Sequence, residues 1–305
     1  MPARTFDGSI TDVRRTRTIA YRVYYPAGWR GPLPVVLFSH GGDGSTNGHT
    51  ELGHFGTEWA STGFLAVHLN HLPSATISQH DADRPVDVTA ILDRLEARSL
   101  PLPADLAGTP DLTRIAHAGD SWGAYTAHAV GGARFTHGQY RDSRVKAILP
   151  ISPQGPGGFG AFDNGPANNS WRELSIPSFV LVGADEKNGP LGDPQQLTDW
   201  RLYPLRARSG CARAIPGGVA GPGARRDGRR RRGGAEPAQR YLRLNIRRFL
   251  QVFQQGREAL VCDIGRLTLI PGTDLRRKTD PSWSAVRECP PLASNTVGNV
   301  SAETR

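Results

Sequence analysis

The residues best suited to chemistry lie in Gly119-Asp120-Ser121-Trp122-Gly123. This Gly-x-Ser-x-Gly sits between an apolar run, Ile115-Ala-His-Ala118, and a small-residue run that starts at Ala124. That context is what a nucleophile elbow requires, a strand that turns sharply into a helix. The turn holds the serine in a strained backbone conformation where bulky neighbours would clash, so glycines flank it. The Ser121 hydroxyl would stand clear of the sheet and attack an ester carbonyl to give an acyl-enzyme. The oxyanion formed in that attack needs two preorganised N–H donors. Trp122 N–H, at the start of a helix, is one. Gly42 N–H is the expected second, from the His40-Gly41-Gly42 loop that follows an apolar run. Gly41 suits a place where backbone must approach substrate closely. The Trp122 side chain either walls the acyl pocket or packs the elbow.

A nucleophilic serine also needs an acid and a base. Ser178-Phe-Val-Leu-Val182 reads as a short buried strand and runs into Gly183-Ala184-Asp185-Glu186. Asp185 is the candidate acid by type, and Glu186 is the alternative by its offset from Gly183. A carboxylate at either place could orient and stabilise an imidazolium. Asp120, beside the serine, would discourage anionic substrates. His40 is expected to fix its loop rather than act as a base.

The elements that must hold these groups alternate. Thr18–Tyr25 reads as an early antiparallel strand. Pro34–Ser39, Phe64–Leu69, Thr113–Ala118 and Val145–Ile151 are buried strands, near-continuous in apolar residues. Between them fall a helix ending near Ser61, an amphipathic helix over Arg84–Arg98 with Asp83 as its N-cap, and the elbow helix Ala124–Val130. Gln239–Gln255 has a second amphipathic pattern and should pack on the sheet. The order predicts an α/β fold, a mostly parallel central sheet with helices on both faces. Candidate groups then fall at the C-terminal ends of strands. Residues 1–292 are expected to form one domain, followed by a flexible tail over 293–305.

The chain has 305 residues, 38% hydrophobic, with no apolar run long enough for a transmembrane helix. The N-terminus lacks the apolar core of a signal peptide, so a cytoplasmic protein is expected as written, or an exported one if the start is truncated. Cys211, Cys262 and Cys289 are too scattered for a zinc site, and no metal or cofactor is implied. Cys262 and Cys289 could pair in an exported protein, or stay free thiols. The net charge is +9, yet nine arginines and one acid lie between Arg206 and Arg232. The basicity therefore belongs to one segment, and the rest is nearly neutral. That segment lacks the interleaved aromatics that stack bases, so nucleic acid is not the expected partner. A small-molecule ester is.

These residues resemble a known group. The order strand–His-Gly-Gly, strand–Gly-x-Ser-x-Gly–helix, strand–Gly-x-Asp is similar to that of α/β-hydrolases. Phe38-Ser-His-Gly-Gly42, Trp59-Ala-Ser-Thr-Gly-Phe64, Arg84-Pro-Val-Asp-Val88 and Arg144–Pro153 resemble the dienelactone-hydrolase and platelet-activating-factor-acetylhydrolase branch. The resemblance covers about residues 15–205 and resumes near Gln239. It implies serine-dependent hydrolysis of carboxylic esters, with a triad in the order serine, acid, histidine.

The histidine is where the chain departs from that pattern. No histidine follows His137. The base belongs near Cys211-Ala-Arg-Ala-Ile-Pro-Gly-Gly218, which reads as the strand and turn that would deliver it. Three accounts compete. In the first, residues 206–234 are anomalous because they are translated out of frame, which fits their Arg/Gly-rich composition. In the second, the chain is a catalytically inactive binding protein on the hydrolase scaffold. Or a histidine from elsewhere, His49, His54, His80 or His137, stands in, since triads are defined by geometry.

Overall fold

A computed structural model of the chain describes residues 1–42, 44, 47–162, 169–182, 200, 201, 203, 204, 214–216, 246, 247, 250 and 251. The strands are β1 (Ala3–Asp12), β2 (Arg17–Pro26), β3 (Pro32–Ser39), β4 (Leu65–Leu69), β5 (Thr109–Asp120), β6 (Arg134–Phe135), β7 (Gly138–Gln139), β8 (Val145–Ile151), β9 (Ser178–Val180) and β10 (Ala214–Pro216). Among the described residues, α1 (Gly53–Ser61), α2 (Ile77–Glu96) and α3 (Trp122–Gly131) are α-helices.

Eight strands form one sheet in the order β1-β2-β4-β3-β5-β8-β9-β10. β1 and β2 are antiparallel to their neighbours, and every pairing from β4 to β10 is parallel. Parallel neighbours joined through α1, α2 and α3 bury both faces of the sheet. Along β3 the side chains alternate between two cores. Val35 and Leu37 join Val88, Ile91, Leu92 and Leu95 of α2 and Tyr125 and Val130 of α3. Val36 and Phe38 join Phe55 and Trp59 of α1. On that second face Ala66, Ala116, Ala118 and Ala147 leave room for the large rings of Phe38, Phe55, Trp59 and Phe64. Ile246 and Leu250 lie in the same core, so this part of the expected helix over Gln239–Gln255 packs on the sheet.

The strand ends are level. Ser39 is paired with Gly119, and Asp120 with Ile151. Pro216 is paired with Val180. The loops after β3, β5 and β8 therefore leave the same edge of the sheet, and β9 and β10 point their ends the same way.

Several boundaries differ from the sequence reading. α2 begins seven residues before Arg84. Its cap is Thr76, whose Oγ1 accepts the Gln79 N–H at 3.1 Å, and not Asp83. Pro85 is inside the helix rather than in its first turn. It has no N–H for the Asp81 carbonyl, and the Tyr125 hydroxyl donates to that carbonyl instead, at 3.2 Å. Within 206–234, Ala214–Pro216 form β10 on the edge of the sheet. The remainder of that segment, residues 293–305 and the three cysteines lie outside the described residues.

Candidate active site

The elbow is built as its glycines require. Ser121 has φ 52° and ψ −110°, a conformation that non-glycine residues rarely adopt. Its N–H donates to the Ile151 carbonyl at 2.9 Å, and its carbonyl accepts Ala124 N–H at 2.9 Å. Strand β8 thus holds the serine from one side and the first turn of α3 from the other. A Cβ on Gly119 would lie 2.2 Å from the Gly123 carbonyl oxygen, and one on Gly123 would lie 1.9 Å from the Ser39 carbonyl oxygen. Both glycines are there for close packing of backbone on backbone. Trp122 is the first residue of α3, so its N–H has no acceptor within the helix.

Gly41 lies against the nucleophile. A Cβ there would be 3.4 Å from Ser121 Cβ and 3.0 Å from Asp120 Oδ2. Gly42 has φ +74°, which favours glycine. His40 fixes this loop. Its Nε2 accepts the His71 N–H at 2.9 Å, so Nδ1 carries the proton and donates to the Gly41 carbonyl at 2.6 Å. Burial, with the Arg84 charge second, lowers the His40 pKa to about 4, so the imidazole is neutral at pH 7.

Beneath the loop lies Arg84, fully buried. Its Nη2 donates to the His40 carbonyl, and its Nη1 to the Gly42 carbonyl at 3.3 Å. Its Nε donates to Thr126 Oγ1 at 3.0 Å, and that hydroxyl donates to the Trp122 carbonyl at 3.0 Å. One guanidinium therefore ties the loop after β3 to the first turn of α3. Burial lowers its pKa to about 9, against the raising effect of Asp87 and Asp81, so the group stays cationic at neutral pH.

The Trp122 indole is buried on three sides. Nε1 donates to Asp81 Oδ1 at 2.9 Å. The Phe159 ring stacks on it, with centroids 4.2 Å apart and planes 14° apart. His80 meets it edge-on at 4.9 Å. Burial raises the Asp81 pKa to about 6, partly opposed by the indole hydrogen bond.

A second polar chain runs below the end of β3. Asp87, wholly buried, takes Arg17 Nε at 3.0 Å, Arg15 Nη1 at 2.8 Å and His71 Nδ1 at 3.0 Å. His71 Nε2 meets Ser39 Oγ at 2.8 Å, and Ser39 Oγ meets His117 Nε2 at 3.1 Å. The order carboxylate–imidazole–hydroxyl is that of a triad. Here the serine has no exposed surface and its hydroxyl is committed to two imidazoles, so the chain anchors β3 rather than reacting.

Ser121, Trp122 and Gly41 are thus brought together, and Gly42 follows Gly41 in the same loop. Asp185 and Glu186 lie outside the described residues, as does everything from 217 to 245. Of the four stand-in histidines, His80 packs on Trp122 from within α2. His54 lies in α1 and packs on Phe55 at 4.3 Å. His137, in the turn between β6 and β7, stacks on Phe135 at 5.9 Å. His49 is in a short 3-10 turn over Gly48–Thr50. Three of the four therefore lie in helical elements. Among the described residues no group of three or more His, Cys, Asp or Glu could hold a metal ion. No helix among them is long and apolar enough to cross a membrane.

No family model and no curated protein matches the chain in sequence. Solved structures do match its shape. A ferulic acid esterase from Streptomyces cinnamoneus aligns with TM-score 0.57 at 17% identity, covering 84% of this chain and 91% of that one. The chain has the α/β-hydrolase fold. A protein described as a putative dipeptidyl aminopeptidase IV from Bacteroides ovatus aligns with TM-score 0.53 at 15% identity, covering 83% of this chain but 36% of that one. Ser121 occupies the sharp turn between β5 and α3. Arg84, Asp81 and Phe159 had no assigned part in the site from sequence. For Arg84 the signal was present, because it lies four residues before Val88 on the apolar face of α2.

Proposed function

We propose that the chain is a serine hydrolase of small carboxylic esters, acting through an acyl-enzyme at Ser121. The observation that carries this reading is the backbone of Ser121, φ 52° and ψ −110°, held between two glycines that tolerate no side chain. Strain of this kind costs about 1–3 kcal/mol and persists where the surroundings impose it. In the first step Ser121 Oγ attacks the ester carbonyl, and the oxyanion accepts hydrogen bonds from Gly42 and Trp122 N–H groups. Collapse expels the alcohol and leaves the acyl group on Ser121. Water then attacks the acyl-enzyme and releases the acid. Gly41 and the Trp122 ring border the acyl group. Asp185 or Glu186, after β9, would orient the base, whose place follows Pro216 at the end of β10.

A ferulic acid esterase and a protein described as a putative dipeptidyl aminopeptidase IV share the fold. An ester is favoured here on leaving-group grounds. An amine departs only once a general acid protonates it, whereas a phenol or activated alcohol leaves as an anion. A chain with no histidine after His137 is better placed for the second kind of substrate. The same absence supports the alternative, a catalytically inactive protein that binds esters in the same cleft. The closer kinship to the dienelactone-hydrolase and platelet-activating-factor-acetylhydrolase branch belongs to this proposal and rests on the quoted local motifs. Turnover of p-nitrophenyl butyrate by the wild type, lost in Ser121→Ala, supports the enzyme reading. Equal rates in the two would overturn it.

A further inference from the structure

We infer that Arg84 is the positioning residue of the oxyanion loop, fixing the direction of the Gly42 N–H through the carbonyls on either side of it. The inference rests on the proposed role of Ser121 for its catalytic meaning, but its geometric basis is independent. A trans peptide is planar, so its N–H and C=O point in opposite directions. The peptide that carries the Gly42 N–H carries the Gly41 carbonyl, and His40 Nδ1–H holds that carbonyl at 2.6 Å. The Gly42 N–H is thereby directed away from the His40 ring. The peptides before and after it present the His40 and Gly42 carbonyls, and both accept from Arg84. Three successive carbonyls are therefore tied down by one guanidinium and one imidazole.

The same guanidinium reaches the other oxyanion donor. Arg84 Nε holds Thr126 Oγ1, which bonds to the Trp122 carbonyl one turn earlier in α3. The distance between the loop and the helix start is set by this one rigid fork, which a lysine could not reproduce. Removing a cation from water is costly, and among the described residues no carboxylate pairs directly with Arg84. The charge lies behind the loop whose N–H groups would face the oxyanion. Its positive field stabilises the negative charge that develops there, and burial leaves it little screened by water. Substrate in its ground state carries no such charge, so the effect belongs to the transition state and should appear in kcat rather than KM.

The test compares the full-length wild type with Arg84→Lys and Arg84→Met. It measures kcat and KM for p-nitrophenyl butyrate, the rate of fluorophosphonate labelling of Ser121, and amide hydrogen exchange over residues 38–42. We expect kcat and the labelling rate to fall by roughly 10- to 100-fold with KM within about twofold. Exchange of the loop amides should rise by about tenfold or more, while the strand core of β3 keeps its protection. Arg84→Lys keeps the charge and should fold even if Arg84→Met does not. A merely structural role would lower thermal stability while leaving the kcat of the folded fraction and the loop exchange unchanged, and would overturn the inference. If the wild type neither turns over nor labels, the reading of Ser121 as a nucleophile fails. The exchange measurement then decides alone: a loosened loop in the Lys variant supports the positioning role, and unchanged exchange refutes it.

Discussion

Gly123 is packed on Ser39 so closely that a Cβ at position 123 would sit 1.9 Å from the Ser39 carbonyl oxygen. Backbone faces backbone there, and no rotamer change can relieve the contact. Gly123→Ala must push the start of α3 away from the end of β3, and with it the serine from the Gly41-Gly42 loop. Overpacking in a rigid site costs about 1–3 kcal/mol or more. We expect Gly123→Ala to lower the urea midpoint accordingly and to abolish Ser121 labelling. Gly41→Ala is a useful contrast. Its Cβ would lie 3.4 Å from Ser121 Cβ and 3.0 Å from Asp120 Oδ2, so it should cost less stability and still impair labelling.

The indole of Trp122 should be held mainly by its polar end. Trp122→Phe keeps a ring against Phe159 but removes the donor to Asp81. A buried acceptor left unsatisfied costs about 1–3 kcal/mol, and denaturant unfolding at pH 7.5 should show a loss of that size. Asp81→Asn keeps an oxygen for the indole and removes the charge. Its cost at pH 7.5 should be the smaller of the two, because the native fold already raises the Asp81 pKa to about 6.

Much of this was legible in the sequence, for reasons that differ by residue. The buried strands β3, β4, β5 and β8 were readable because both of their faces are apolar. The elbow was readable because its glycines answer a steric demand. β1 was not, since its exposed edge position leaves Arg4, Asp7 and Ser9 among its residues and blurs the alternation. α2 was cut short because Pro85 reads as a helix start. Its missing N–H is compensated by the Tyr125 hydroxyl, a contact between residues 44 positions apart. Arg84 was visible as a charge on an apolar face, but its role, like that of Asp87, was not. A charge on an apolar face makes sense only once the loop carbonyls and the Arg17 side chain that meet it are known.

Acid should unfold this protein early. Burial holds His40 at about 4, His68 and His117 at about 3, and His71 well below 6.5. Each is neutral in the native state and takes up a proton on unfolding, so stability is full above pH 6.5 and falls as the pH drops toward the native values. For His40 alone the loss by pH 4 is on the order of 3 kcal/mol. Asp81 and Asp87, pushed up by burial, act in the opposite sense, but they are two groups against four. The urea midpoint should therefore fall steadily from pH 6.5 to 4. A flat profile over that range would contradict the burial of these imidazoles.

Substrate preference should follow leaving-group acidity. With no histidine after His137, p-nitrophenyl esters should be cleaved at least about 100-fold faster than ethyl esters of the same acid. Equal rates would point to a competent general acid. In that case His80, packed against Trp122, is the first stand-in to replace, with His80→Gln.

The central claim is that Ser121 becomes acylated. Intact-mass and peptide analysis after brief exposure to p-nitrophenyl butyrate tests it most directly, because the activated ester acylates readily and an adduct whose deacylation lacks a competent base accumulates. The account predicts one butyryl group on the peptide containing Ser121, absent in Ser121→Ala. No adduct on that peptide, or the same adduct in the alanine variant, would contradict it.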